Sequence, residues 1–369
     1  MNFVSTKEDL TLGLQVVQRA VSSKNPLPIL AGIKFTTGTG CLDLTATDLE
    51  IGIRCIIPAE IIEPGEIVLP SRYITELIKK LPALPVHFQS DHFSTGAVIK
   101  YGQSETIING FPADEFPQIS FESESQDLIF TSAAFKDAVR KISYAVSQEE
   151  TRPVYTGILM EIGSGEVNLV ATDTYRMARF TLPFDEDSCH DINLIIPGKT
   201  LNELTKIIAD GETKIHLSLL GNQVLFKSGN ICLISRLIDG NFPSYRKVIP
   251  TDCVSRVRIK TRDLLEATDR AALIARENAP VIKLHIDQKI ISIKVSTEAG
   301  RVDEKVMASH EGEPLQVAFN ARYLSDALRV IGAEDVEMEF TGPLSPAVLR
   351  PAGAVNYFSL LLPVRIQEE

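Results

Sequence analysis

The chain has 369 residues, 44% of them hydrophobic, and a formal net charge of −11 at pH 7. That composition excludes a disordered or fibrous protein and gives room for two or three globular domains. The acidic balance argues against a generic polyanion binder, because phosphate contacts need Lys and Arg, although where the cations sit matters more than their sum. The apolar runs are too short to span a bilayer, and Met1-Asn2-Phe3-Val4 lacks the charged and apolar regions of a signal peptide, so a cytoplasmic protein without membrane contact is expected. Cys41, Cys55, Cys189, Cys232 and Cys253 form no CxxC pair, and the six histidines are scattered. Buried free thiols, no metal and no cofactor are therefore expected.

The first predicted element is a helix over residues 5–22. Ser5 and Glu8 have capping-box spacing, and Leu10, Leu14, Val17 and Val21 form one apolar stripe. Strands follow over 32–36, 41–45 and 50–57, with Thr37-Gly38-Thr39-Gly40 as a tight turn. Leu69-Pro70-Ser71 opens a second helix carrying Ile74, Leu77, Ile78 and Leu81, and further strands lead to Phe116-Pro117. The same order then recurs. A helix starting at Thr131 or Ser132 carries Phe135, Val139, Ile142 and Val146; strands over 157–162 and 166–171 flank another Gly-rich turn; Pro197-Gly198-Lys199 opens a helix with Leu201, Leu204, Ile207 and Ile208. The third pass is the most divergent, with a helix from Thr261, strands over 282–286 and 290–296, a helix start at Asn320 and a final strand from Tyr357.

The register of this repetition is tight. Thr45-Ala46-Thr47-Asp48, Val170-Ala171-Thr172-Asp173 and Val295-Ser296-Thr297-Glu298 place their threonines 125 residues apart each time, Phe116 and Phe242 are 126 apart, and Pro70 and Pro197 are 127 apart. A fixed period of this kind is the signature of one unit used three times. The predicted fold class is α+β: three domains, over 1–121, 128–248 and 254–369, each with two helices packed on antiparallel sheets. The linkers are placed at 120–127 and 248–255.

Little in the chain points to catalysis. It has no GxxxxGK[ST], no GxSxG and no GxGxxG opening a helix. The repeated acid (Asp48, Asp173, Glu298) reads as turn chemistry, since Thr and Asp side chains bond nearby backbone amides. No catalytic residue is assigned. The six helix windows, 7–19, 72–80, 136–141, 199–206, 262–276 and 322–329, hold 15 Lys and Arg against 9 Asp and Glu, which suggests a surface sorted by sign, although from the count alone ordinary solvated helix faces are the better reading. Nothing on them reads bases, and any nucleic-acid contact is expected to be with phosphate.

Ala171-Thr172-Asp173-Thr174-Tyr175-Arg176-Met177-Ala178, the run Arg236-Leu237-Ile238-Asp239-Gly240-Asn241-Phe242-Pro243-Ser244-Tyr245-Arg246 and the terminal Leu362-Pro363-Val364-Arg365-Ile366 resemble the bacterial DNA polymerase III beta subunit family, the replicative sliding clamps. The resemblance implies a head-to-tail homodimer that closes six like domains into a pseudo-sixfold ring around duplex DNA, holding it without sequence readout. Its implied partners are the polymerase III alpha subunit, the clamp loader and other polymerases or repair proteins, each bringing a short linear peptide motif. The implied peptide pocket is walled by Tyr155, Thr172, Thr174, Tyr175, Arg176, Met177, Pro243, Val248, Leu362, Pro363, Val364, Arg365 and Ile366. Lys24, Arg72, Gln148, Lys199 and Arg276 are the implied DNA contacts. Leu273 and Ile274 are the implied dimer contacts, meeting an edge strand around 106–108 that includes Ile107. Gly and His are common in the family where Thr174 and Tyr175 stand, and an aromatic is common where Thr106 stands, so a narrower pocket and a weaker joint are expected. The alternatives are a triplicated α+β metabolic enzyme and a protein-binding scaffold that never meets DNA.

Overall fold

The structure is a computed structural model describing residues 1–22, 27–90, 96–123, 128–163, 165–183, 192–275 and 280–365. Among the described residues there are six α-helices, two in each sequence repeat: α1 (Lys7–Val17), α2 (Ser71–Lys80), α3 (Ser132–Ile142), α4 (Gly198–Ile207), α5 (Thr261–Ile274) and α6 (Ala321–Ile331). The first helix starts one residue later than its capping box suggests. Thr6, not Ser5, accepts the Asp9 amide, at 3.0 Å, while Ser5 closes the strand Asn2–Ser5 and donates its hydroxyl to the Pro58 carbonyl at 2.9 Å. That strand is held by Phe3, fully buried and stacked on Phe88 at 4.7 Å. At the other end of the chain, Asn320 caps α6 by accepting the Arg322 amide, and Gly332 stops it in the left-handed region at φ 66°.

The chain divides into two compact units. One consists of Met1–Phe135 and Glu203–Leu237, the other of Lys136–Asn202 and Ile238–Glu369. The central repeat is thus shared between them. In the first unit, its strands Leu128–Thr131, Lys214–Leu220, Gln223–Ser228 and Ile231–Arg236 continue the first repeat's sheet, Ile231–Arg236 pairing antiparallel with Ile51–Pro58. A second sheet of this unit runs in the order Glu60–Glu63, Asn2–Ser5, Val86–Gln89, Gly96–Tyr101, Ser104–Asn109, which leaves Ser104–Asn109 as an edge strand.

In the second unit, Ile192–Pro197, Gly157–Gly163, Glu166–Thr172 and Arg176–Pro183 follow one another and then join the third repeat, Arg176–Pro183 pairing with Tyr357–Leu361. The sheet continues through Ala347–Pro351, Asp335–Phe340 and Ser255–Lys260 to the long strand Gly300–Gly312, and ends at Leu315–Asn320. Helices α5 and α6 pack together and bury Leu264, Ala267, Ala271, Leu324, Ala327 and Leu328. Repeat-to-repeat joining by strand pairing means that backbone hydrogen bonds, as well as apolar burial, cross each sequence boundary inside a unit.

The repeated threonine turn has the same bonds in its first two copies. Thr47 donates its hydroxyl to the Ile51 carbonyl at 2.8 Å and accepts the Leu49 amide at 2.9 Å; Thr172 donates to the Arg176 carbonyl at 2.8 Å and accepts the Thr174 amide at 3.1 Å. Asp48 and Asp173 each accept the amide three residues on, at 2.8 and 2.9 Å. The third copy departs. Its hairpin closes at Thr297 opposite Gly300, around Glu298 and Ala299 alone, whereas Thr47 faces Gly52 and Thr172 faces Met177.

Candidate peptide-binding groove

The turn at 173–176 sets the groove. Asp173 accepts the Tyr175 and Arg176 amides and also the Arg176 Nε, at 3.0, 2.9 and 2.9 Å. This bonding forces Thr174 to φ 77°, a left-handed conformation disfavoured for a β-branched residue. The Arg176 side chain folds inward until it is only 11% exposed. Its Nη1 donates to Asp326 on α6 at 2.7 Å, and its guanidinium lies between the Tyr144 and Tyr323 rings, 5.2 and 4.5 Å from their centroids. Burial opposes its charge, yet the bonds and charges of Asp326 and Asp173 outweigh that and hold its pKa above the ordinary value. Tyr175 turns outward, 59% exposed, with its ring stacked on Tyr323 at 6.3 Å.

Behind this turn, strand register supplies the floor. Met177 pairs with Leu360 and with Thr172 across its two neighbouring strands. Leu362 lies two residues beyond Leu360, on the same face, and its amide is bonded to the Tyr175 carbonyl at 2.9 Å. The opposite wall comes from Pro243, Ser244, Tyr245 and Val248. Tyr245 is buried in the core formed by Leu159, Val170, Met177, Ile195, Phe358 and Leu360, and its hydroxyl donates to Glu161 at 2.6 Å. Burial first, and then the Glu161 carboxylate, push the Tyr245 pKa upward.

The result is a cavity of about 180 Å³ lined by Tyr155, Thr172, Thr174, Tyr175, Arg176, Met177, Pro243, Ser244, Tyr245, Val248, Leu360 and Leu362. Nine of the residues expected for the pocket meet here. Pro363, Val364 and Arg365, also expected for the pocket, are not among the residues that line this cavity. The chain leaves the sheet after Leu361, and the Val364 amide bonds to the Ala318 carbonyl at 2.8 Å, carrying the tail past the rim. Ile366 lies outside the described residues. The lining also includes Leu360, Ser244 and Tyr245, which the sequence reading did not name; the alternation 360/362 and the Phe242-Pro243-Ser244-Tyr245 run could have found them.

Of the expected DNA contacts, Arg72 on α2, Gln148 and Lys199 on α4 are exposed, while Lys24 and Arg276 lie outside the described residues. The positive excess on the helices is partly neutralised. Arg19, Lys80, Arg140, Lys141, Lys206, Arg262, Arg270 and Arg329 each reach a carboxylate within 4.0 Å. Of the expected dimer contacts, Leu273 is 82% exposed on α5, Ile274 is half-buried, and Ile107 is 65% exposed on the edge strand Ser104–Asn109. Among the described residues no cluster of His, Cys, Asp and Glu has the makings of a metal site, and no helix is long and apolar enough to cross a membrane.

Family models of the DNA polymerase III beta subunit match the chain three times: the N-terminal domain at 1–120, the central domain at 130–244 and the C-terminal domain at 246–365. The chain belongs to the DNA polymerase III beta subunit family. A beta sliding clamp of Bacillus subtilis (strain 168) is 35% identical over 379 residues, covering 99% of this chain and 100% of that one. The crystal structure of the Bacillus subtilis DNA polymerase sliding clamp superposes with a TM-score of 0.96 at 34% identity, over 100% of both chains. A DnaN sliding clamp (DNA polymerase III subunit beta) from Pseudomonas aeruginosa, solved bound to griselimycin, gives a TM-score of 0.94 at 27% identity, over 99% of this chain and 100% of that one. The three matches follow the order of the three repeats read in the sequence.

Proposed function

We propose that two copies of this chain close head to tail into a ring around duplex DNA, and that the groove at Arg176 captures short apolar peptide motifs of the polymerase III alpha subunit, the clamp loader and other replication or repair proteins. The chain performs no chemical step. It raises processivity by keeping an enzyme tethered to the template. The observation that carries the partner-binding half is the convergence of nine expected residues on one apolar cavity next to a fixed Arg176. An apolar pocket edged by a few placed polar groups is the usual form of a peptide anchor site. The ring half is supported by family membership, by exposed Leu273 and Ile107, and by an edge strand open on one side. Arg72, Gln148 and Lys199, with Lys24 and Arg276, are the proposed phosphate contacts. In a topological link these contacts need only be weak and screened, which permits sliding and suits an acidic protein.

Val248 offers a clean test because it lines the cavity yet is 52% exposed, so Val248→Asp puts a charge in the groove without disturbing the core. A fluorescent alpha-subunit motif peptide is expected to bind the wild type and to lose about tenfold or more in affinity against Val248→Asp. Equal binding by the two proteins contradicts the assignment of the groove.

A further inference from the structure

A second and larger cavity, of about 430 Å³, adjoins the groove and shares Pro243, Ser244 and Tyr245 with it. Its floor is built from cross-strand pairs: Glu161 faces Asn193 and Leu159 faces Ile195 on the strands Gly157–Gly163 and Ile192–Pro197. Its roof is the loop 240–247, tied down where the Ile238 amide bonds to the Ile195 carbonyl at 2.8 Å. Tyr245 divides the two chambers, since its ring lines the first and its hydroxyl is fixed on Glu161 of the second. The chemistry of the two chambers differs. Arg246 donates to Glu161 at 2.7 Å, so the one carboxylate of the lining is already matched, and Lys247 adds a further positive charge at the mouth. Asn193, Asn241 and Ser244 contribute neutral polar groups. The volume lies in the range of roughly 300–1,000 Å³ typical of ligand sites.

The geometry points to this chamber as the seat for acidic residues that flank the apolar anchors of a bound partner peptide, Lys247 attracting them and the asparagines accepting their backbone. This rests on the reading of the first cavity as a peptide anchor site, with which the chamber shares Pro243, Ser244 and Tyr245. It adds a rule of recognition: among peptides with the same apolar anchors, those continued by Asp or Glu bind more tightly.

The test uses the full chain and three peptides: an alpha-subunit motif alone, the motif extended by three glutamates at either end, and the same extensions in glutamine. At low salt a glutamate extension at one end is expected to tighten binding about fivefold over its glutamine counterpart, the size of one partly exposed ion pair. The gain should shrink as salt is raised. It should vanish in Lys247→Glu, and also in Asn193→Tyr, which fills the chamber from its exposed floor, while the unextended motif binds all three proteins alike. Equal affinity for the glutamate and glutamine peptides overturns the inference, as does a gain that survives both substitutions. Failure of the unextended motif to bind the wild type overturns the anchor site itself and this extension with it.

Discussion

The Arg176 guanidinium and the Asp326 carboxylate stand 2.7 Å apart, and this ion pair joins the groove-lining turn of the central repeat to α6 of the third. Arg329 reinforces it from the next turn of α6, reaching Asp326 at 3.4 Å and Asp269 on α5 at 3.1 Å. The groove is therefore positioned by two sequence repeats at once. Asp326→Asn, which keeps the shape and removes the charge, is expected to lower stability by about 1–2 kcal/mol in urea unfolding, as for a charged hydrogen bond that is partly exposed. It should weaken motif-peptide binding as well, with Asp326→Glu restoring part of both. An Asn variant that binds peptide like the wild type shows that Arg176 is held by its other partners alone.

Thr174 sits at φ 77° because the Thr172 and Asp173 side chains dictate the turn, and Leu49 sits at φ 76° in the corresponding turn of the first repeat. Left-handed geometry costs an L-residue roughly 1–2 kcal/mol, and glycine is exempt. Thr174→Gly is expected to raise the thermal midpoint, with a gain of up to about 1 kcal/mol once the extra freedom of the unfolded glycine is deducted. A lower midpoint means that the Thr174 side chain contributes more through contacts than its backbone loses.

These two sites show what the sequence could and could not convey. The period at Thr47, Thr172 and Thr297 is visible because turn chemistry needs particular side chains at particular steps, and the six helices follow from apolar spacing. The division of the central repeat between two compact units is not visible, because strand partners such as Ile231–Arg236 with Ile51–Pro58 are chosen by tertiary packing of similar apolar strands. Within the groove, Met177 and Pro243 lie in the family's motif runs and Val248 follows from the resemblance. Asp326 and Tyr144 do neither, since nothing in a linear pattern tells an exposed helix acid from one that holds an arginine 150 residues away. The shorter third turn was hidden for a similar reason: Thr297-Glu298 looks like its predecessors, and only the pairing with Gly300 shows the loop to be clipped.

Leu273 exposes 82% of its surface on α5, with Ile274 half-buried beside it. Leu273→Ala combined with Ile274→Ala is expected to yield monomers in sedimentation velocity with an unchanged circular dichroism spectrum. The side chains lost are not core, so the fold should be conserved to within about 1 kcal/mol. A dimer that persists removes this surface from the ring joint.

High pH should weaken the first unit. Burial first, and then the neighbouring Asp43 and Cys232, push the Cys55 thiol up to about 12 from an ordinary value of 9.0. The folded protein thus keeps a proton that the unfolded chain releases. Its contribution to stability is complete below the unfolded value and is lost as pH rises from 9.0 towards about 12. Denaturant midpoints are expected to fall more steeply over that window for the wild type than for Cys55→Ala. Parallel slopes imply that Cys55 ionises as freely in the fold as outside it.

The proposed hold on DNA is topological: the duplex is encircled and not gripped. The protein is loaded by the clamp loader and ATP onto nicked circular DNA, passed through a sizing column at moderate salt, and measured again after a restriction enzyme cuts the circle. Retention on the circle and loss on linearisation are expected, at the same salt and with the same sequence present. Retention that is indifferent to cutting, or absence from the circle despite active loader, contradicts encirclement.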